Sequence, residues 1–213
     1  MGDLLAMLIG AAIATLWHEA GHAALALVLT RARVRLVVGL GPTVHLPLGR
    51  LSLGLAPLPF GGYCEHEDTG RRGDRALIAA AGPVASTFLA ALAWYLSRGP
   101  AAASSALVLL FSWVAVSSAF CALLTALPLR YPPGLGPGMG DSDGLTVLRA
   151  LFPASPLVLK APRAERRPER PLRLPFLIVL VALIFLAFAL DFWLGAVVTV
   201  LFGSAYRGER AAG

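Results

Sequence analysis

The sequence predicts an α-helical polytopic membrane protein: about four transmembrane helices, with a small strand-rich insertion between the first and the second. Three observations carry that expectation. The chain is 57% hydrophobic and only 14% charged, whereas ordinary soluble domains are about 25% charged. Its apolar residues gather into four segments long enough to cross a bilayer, which takes about 20 residues: approximately Leu4–Thr30, Ala76–Ser97, Ala101–Leu129 and Leu174–Phe202. The 18 Lys and Arg, 17 of them Arg, lie outside those segments.

Taken in order, the first segment follows Met1 and Asp3 without a basic leader, so it reads as a span rather than a cleavable signal peptide. Residues 31–64 differ in character. Their apolar runs are short, alternate at Leu51, Leu53 and Leu55, and are broken by Gly and Pro, which predicts several short strands and turns. Only "SRGPAAASS" joins the second and third spans, too little for a domain. After the third span, "RYPPGLGPGMGDSDG" cannot continue a helix. A short amphipathic helix at about Leu145–Phe152 and a basic linker, 160–173, lead to the last span. No internal repeat is visible, and the expectation is a single membrane-embedded domain over 1–213. Cys64 and Cys121 have neither zinc-finger nor disulfide-framework spacing.

Charge sets the topology. Fifteen of the 18 basic residues fall in the first loop, Arg31–Arg75, and the third, Arg130–Arg173. The positive-inside rule puts both loops in the cytoplasm and both termini outside. The basic clusters therefore read as topology signals and anionic-lipid contacts, and no soluble domain exists to make this a nucleic-acid binder.

The chemistry centres on "TLWHEAGHAA". His18 and His22 are at i and i+4, so a helix presents both imidazoles on one face. Such a pair can bind one Zn²⁺ per chain, with Glu19 beside the metal to take a proton from water. The plain structural reading is a pair of histidines hydrogen-bonded between helices, with Glu19 as partner. Its place in a span argues for function, because ionisable groups there are costly. His18 lies about 21 Å along the helix from Leu4 at 1.5 Å per residue, within the membrane and nearer the cytoplasmic face.

Two histidines leave a third protein ligand to be found. His45 and His66 lie in the strand-rich loop, Asp191 in the last span, and Asp141 and Asp143 in "GDSDGLTVLRA". A carboxylate on broken backbone beside a polar cavity is physically reasonable, since irregular backbone at membrane depth is tolerated only there.

Four ordered stretches together resemble the site-2 protease family of intramembrane zinc metalloproteases, in a compact bacterial-type form without a PDZ domain. They are "HEAGH", the Gly/Pro-rich segment ending in Gly61-Gly62-Tyr63, "AAGPVAS", and "LTALP…SDGLTVLRAL". The resemblance implies His18, His22 and Asp143 as zinc ligands, Glu19 as the catalytic residue, and Gly61, Gly62, Tyr63, Thr125 and Pro128 in substrate positioning. It further implies single-pass membrane proteins as substrates, such as anti-sigma factors or signal-peptide remnants, cut in or near their transmembrane segment in a bacterial inner membrane. Three departures stand out: Thr125 and Ser86 replace two usual Asn residues, and the stretch from Pro128 to Asp143 is longer than usual.

An extended substrate could add to a free strand edge, after which Glu19 would move the proton. Two rivals share these residues. A pseudoprotease would bind metal and clients without cutting, supported by Thr125 and Ser86. A metal-ion transporter would use His18, His22 and Asp191 along a pathway. The acidic run Cys64–Asp68 reads as a solvated face rather than a second metal site, and Asp191, near Trp193, as a wet helix end.

Overall fold

Small side chains let the spanning helices approach one another. The computed structural model describes residues 2–99, 104–131 and 140–154. Among these, three helices are long and apolar enough to cross a membrane: α1 (Gly2–Leu29), α2 (Arg72–Arg98) and α3 (Ser105–Ala126). At 28 residues, α1 is about 42 Å long, more than the roughly 30 Å hydrocarbon layer. The expected span at Leu174–Phe202 and the linker 160–173 lie outside the described residues.

The buried side of this helix layer is largely alanine: Ala14, Ala23 and Ala26 on α1, Ala76, Ala79 and Ala93 on α2, Ala115 and Ala122 on α3. The large apolar residues point outward instead, among them Leu5, Phe88 and Leu123, each about 60% exposed. That inside-out distribution would be a liability in water. In lipid it is expected, because the tails are as apolar as leucine and close packing drives helix association.

Between α1 and α2 the chain forms β1 (Val34–Leu40), β2 (Val44–Leu48), β3 (Leu51–Leu55) and β4 (Leu58–Glu65). This agrees with the expected strand-rich insertion, and Cys64 lies in β4. The sheet order is β2-β3-β1-β4, with β1 parallel to β3 and antiparallel to β4. Val34, Leu36 and Val38 of β1 are buried in a cluster with Ala23 and Ala26 of α1 and Ile78 of α2, so the sheet packs under the far half of α1. Arg50, from the two-residue turn between β2 and β3, donates to the carbonyls of Leu27 and Thr30. It thereby satisfies backbone acceptors left over at the end of α1.

The last described element is α4 (Asp143–Leu151), close to the expected Leu145–Phe152 helix. It packs on α2 and on α3.

Candidate metal centre

One turn of α1 carries His18, Glu19 and His22, which are 3, 7 and 7% exposed. The two imidazoles stand edge to face, their centroids 4.8 Å apart. Both rings face α2 at Gly82, where any Cβ would run into His22 and His18. The Gly of "AAGPVAS" therefore leaves the volume that the two rings fill.

The α2 helix also holds the outer nitrogen of each ring. His22 Nδ1 is 2.6 Å from the carbonyl of Ile78. A carbonyl only accepts, so this nitrogen carries the proton and Nε2 of the neutral ring has a free lone pair. The Ile78 carbonyl lies one turn before Pro83, which lacks the N–H that a helix would direct at Ala79. His18 Nδ1 is 2.9 Å from Ser86 Oγ, which is wholly buried.

Asp143 is supplied by the first turn of α4. The stretch from Pro128 to Asp143 is long, yet it starts and finishes in one place. Tyr131 N–H donates to Gly140 O and Ser142 N–H to Leu129 O, each at 2.9 Å, around a bridge between Arg130 and Asp141. Residues 129–131 and 140–142 are thus held side by side, and the Asp-Gly pair is presented at the end of α3. Gly144 is inside the helix, and its missing Cβ is what lets α4 start against the carbonyl of Ala126.

Three ligand atoms converge as a result. His18 Nε2 is 3.2 Å from His22 Nε2, and Asp143 Oδ2 is 3.2 Å from the first and 3.4 Å from the second. A tetrahedral site with bonds of about 2.0 Å has edges of about 3.3 Å. The donor set, two imidazoles and a carboxylate, is also one that zinc accepts. Three electron-rich atoms held this closely fit around a cation, and they form the one group of metal-capable side chains among the described residues. Glu19 is not part of that group. It lies against β4, where a Cβ at Gly62 would come within 3.0 Å of its Cγ.

The other expected residues fall elsewhere. Asp141 pairs with Arg149 and stays out of the cluster. His45 sits on the exposed strand β2, and His66 is half-buried with its Nδ1 2.9 Å from Glu67 O. The acidic run is engaged in ordinary surface contacts: Glu65 with Arg35 at 3.4 Å, Asp68 with Arg75 at 3.3 Å. Burial, and secondarily the Glu19 carboxylate, push the Cys64 thiol up to about 12, and the residue lies outside the ligand cluster. Gly61 and Gly62 lie in β4 at an irregularity between Val38 and Leu40 of β1, and Tyr63 pairs with Val37. Thr125 donates its hydroxyl back to Cys121 O at 2.9 Å, and Pro128 is exposed just past α3. Asp191 is outside the described residues.

Residue reasoning missed Ser142, the N-cap of α4, although a Ser directly before an acidic first turn is a helix-start signal. It noticed Ser86 only as a departure, since nothing in the sequence connects position 86 with His18.

The family model described as Peptidase family M50 matches residues 6–190 of the chain. No curated protein matches it.

Proposed function

Because the chain belongs to peptidase family M50, and so is a metallopeptidase with helices suited to a membrane, we propose that it is a zinc endopeptidase acting inside the bilayer. In this reading it cuts single-pass membrane proteins in or near their transmembrane segment, as a step of regulated intramembrane proteolysis. The whole chain serves as one catalytic domain, with Leu174–Phe202 as a fourth span. Both termini face outward and the site lies toward the cytoplasmic side of a bacterial inner membrane. The observation that carries the proposal is the convergence of His18 Nε2, His22 Nε2 and Asp143 Oδ2 at 3.2–3.4 Å, inside a layer of membrane-length helices.

His18, His22 and Asp143 would hold one Zn²⁺, with the outward hydrogen bonds to Ser86 and Ile78 fixing the orientation of the two rings. When bound, the ion supplies Lewis-acid polarisation of the scissile carbonyl and acidifies a water molecule. Glu19, outside the ligand group, takes the proton from that water and returns it to the leaving amine. The buried setting of the carboxylate keeps competing water away from this transfer.

Substrate presentation falls to β4. The sheet has two outer strands, β2 and β4. In β2, Leu48 and Leu51 flank a two-residue turn, so Pro47↔Ser52 is a pair without mutual hydrogen bonds. The nitrogen of Pro47 therefore faces outward and removes a donor from that edge. β4 has no proline after Pro59 and runs beside Glu19 at Gly62. An unwound substrate segment adding to β4 would be held by main-chain hydrogen bonds, with Gly61, Gly62, Tyr63, Thr125 and Pro128 bordering its path.

The test is co-expression with candidate single-span proteins, followed by purification and zinc analysis. Cleavage that stops on chelation and resumes with Zn²⁺ is the expected outcome. A protein that holds one zinc yet cuts no single-span candidate would favour the pseudoprotease reading.

A further inference from the structure

We propose that Ser142 is a positioning residue for the third metal ligand: its side chain latches the end of α3 to the start of α4, and so fixes Asp143 despite the insertion before it. The inference rests on the assignment of Asp143 as a ligand.

A serine hydroxyl has one proton and two lone pairs, and at Ser142 all three are used. The proton goes to Leu127 O at 2.6 Å. The lone pairs accept from Leu129 N–H at 3.0 Å and Leu145 N–H at 3.2 Å. The residue is 1% exposed, so no water can substitute for a lost partner without rearrangement. An ordinary N-cap uses a single acceptor toward its own helix. Ser142 caps α4 and also grips the chain leaving α3, while its main chain adds a further bond, N–H to Leu129 O at 2.9 Å.

Asp143 is the next residue, and its carboxylate must meet two imidazoles on α1 that α2 holds in place. The α1 and α2 side of the site does not depend on the insertion. The Asp143 side does, because its covalent route from α3 runs through residues 127–142. The latch shortens that route to a few hydrogen bonds. Residues that tune ligands in this indirect way typically change metal affinity by 10–100-fold when altered.

The experiment uses the full chain in detergent, with Zn²⁺ affinity measured by competition with a chelator and amide exchange measured on the metal-free protein. Ser142→Ala should weaken Zn²⁺ binding by roughly 10–100-fold and speed exchange at Leu129 and Leu145. Ser142→Asp should lose affinity likewise, because it can cap α4 but cannot donate to Leu127 O. Ser142→Thr, which keeps the proton and both lone pairs, should bind as wild type. Ser104→Ala serves as the control, since Ser104 caps α3 through Leu107 N–H far along the helix from the site; it should leave affinity unchanged. Replacing residues 132–139 by Asn-Gly should also leave it unchanged, and a loss there would overturn the latch. If Ser142→Ala binds zinc normally while Asp143→Asn does not, the latch is wrong and the ligand assignment stands. If both bind normally, the ligand assignment itself fails. Should the Ala and Asp variants not fold, wild-type exchange decides: a Leu129 amide as unprotected as a free loop, with metal removed, contradicts the latch.

Discussion

Ser86 Oγ lies 2.9 Å from Nδ1 of His18, across the interface between α2 and α1, and neither side chain is more than 4% exposed. Ser86, one of the two positions where the resemblance leads to an expected Asn, thus contacts the ring of a candidate ligand. Ser86→Ala should lower Zn²⁺ affinity by about tenfold or more, read by chelator competition. Ser118 is equally buried but has no hydrogen-bond partner, so Ser118→Ala should leave zinc unchanged. Equal effects at the two positions would make the Ser86 contact incidental.

Two helical glycines of α2 should behave oppositely. At Gly82 a Cβ would strike both imidazoles, whereas at Gly73 it would meet nothing within 4 Å. Gly82→Ala is expected to displace the rings, with loss of bound zinc and a destabilisation of about 1–3 kcal/mol from overpacking. Gly73→Ala should be neutral or stabilising by up to about 1 kcal/mol. Metal content and thermal unfolding in detergent distinguish the two.

The carboxylates near α4 separate in the same way. Asp143→Asn should release zinc and abolish cleavage, because an amide is a neutral and poor zinc ligand. Asp141, paired with Arg149, should tolerate Asn with zinc retained, and Asp191→Asn should retain it as well. Release by Asp191→Asn alone would revive the transporter reading.

Orientation can be tested by labelling introduced cysteines from outside the cell. Sites near Arg71, before α2, should be protected, and sites near Arg98, at its other end, should react. The Arg98 guanidinium lies 3.8 Å from the ring centroid of Trp94, an aromatic and cationic pairing suited to a membrane interface. Reversed labelling would move the site to the outer half of the membrane.

How much of this was legible in the sequence depends on distance along the chain. The His18–Glu19–His22 constellation was readable because a helix turn fixes residues four apart whatever else the chain does. The three described spans and the strand-rich insertion followed from run length and from Gly/Pro interruption. Asp143 was reachable only through its resemblance to a known motif, since residue chemistry alone left Asp141 and Asp191 open. The hold of Ser86 on His18 spans 68 residues and is a product of helix packing, which no local pattern encodes. The same is true of Gly82, whose role depends on rings from another helix. Strand order was equally hidden. Alternation marks a strand but not its neighbours, so which edge lies beside Glu19 emerged only from the parallel pairing of β1 with β3.

In the proposed function Glu19 acts on protons while His18, His22 and Asp143 hold the metal. The most direct test is Glu19→Gln, measured for zinc content and for cleavage of a single-span substrate in the same preparation. Gln keeps the size of the side chain but cannot take a proton. One zinc per chain is expected, as in wild type, with cleavage reduced by at least about 100-fold. Loss of zinc together with cleavage would make Glu19 a ligand, and unchanged cleavage would remove it from the chemistry; either result overturns its role as the proton carrier.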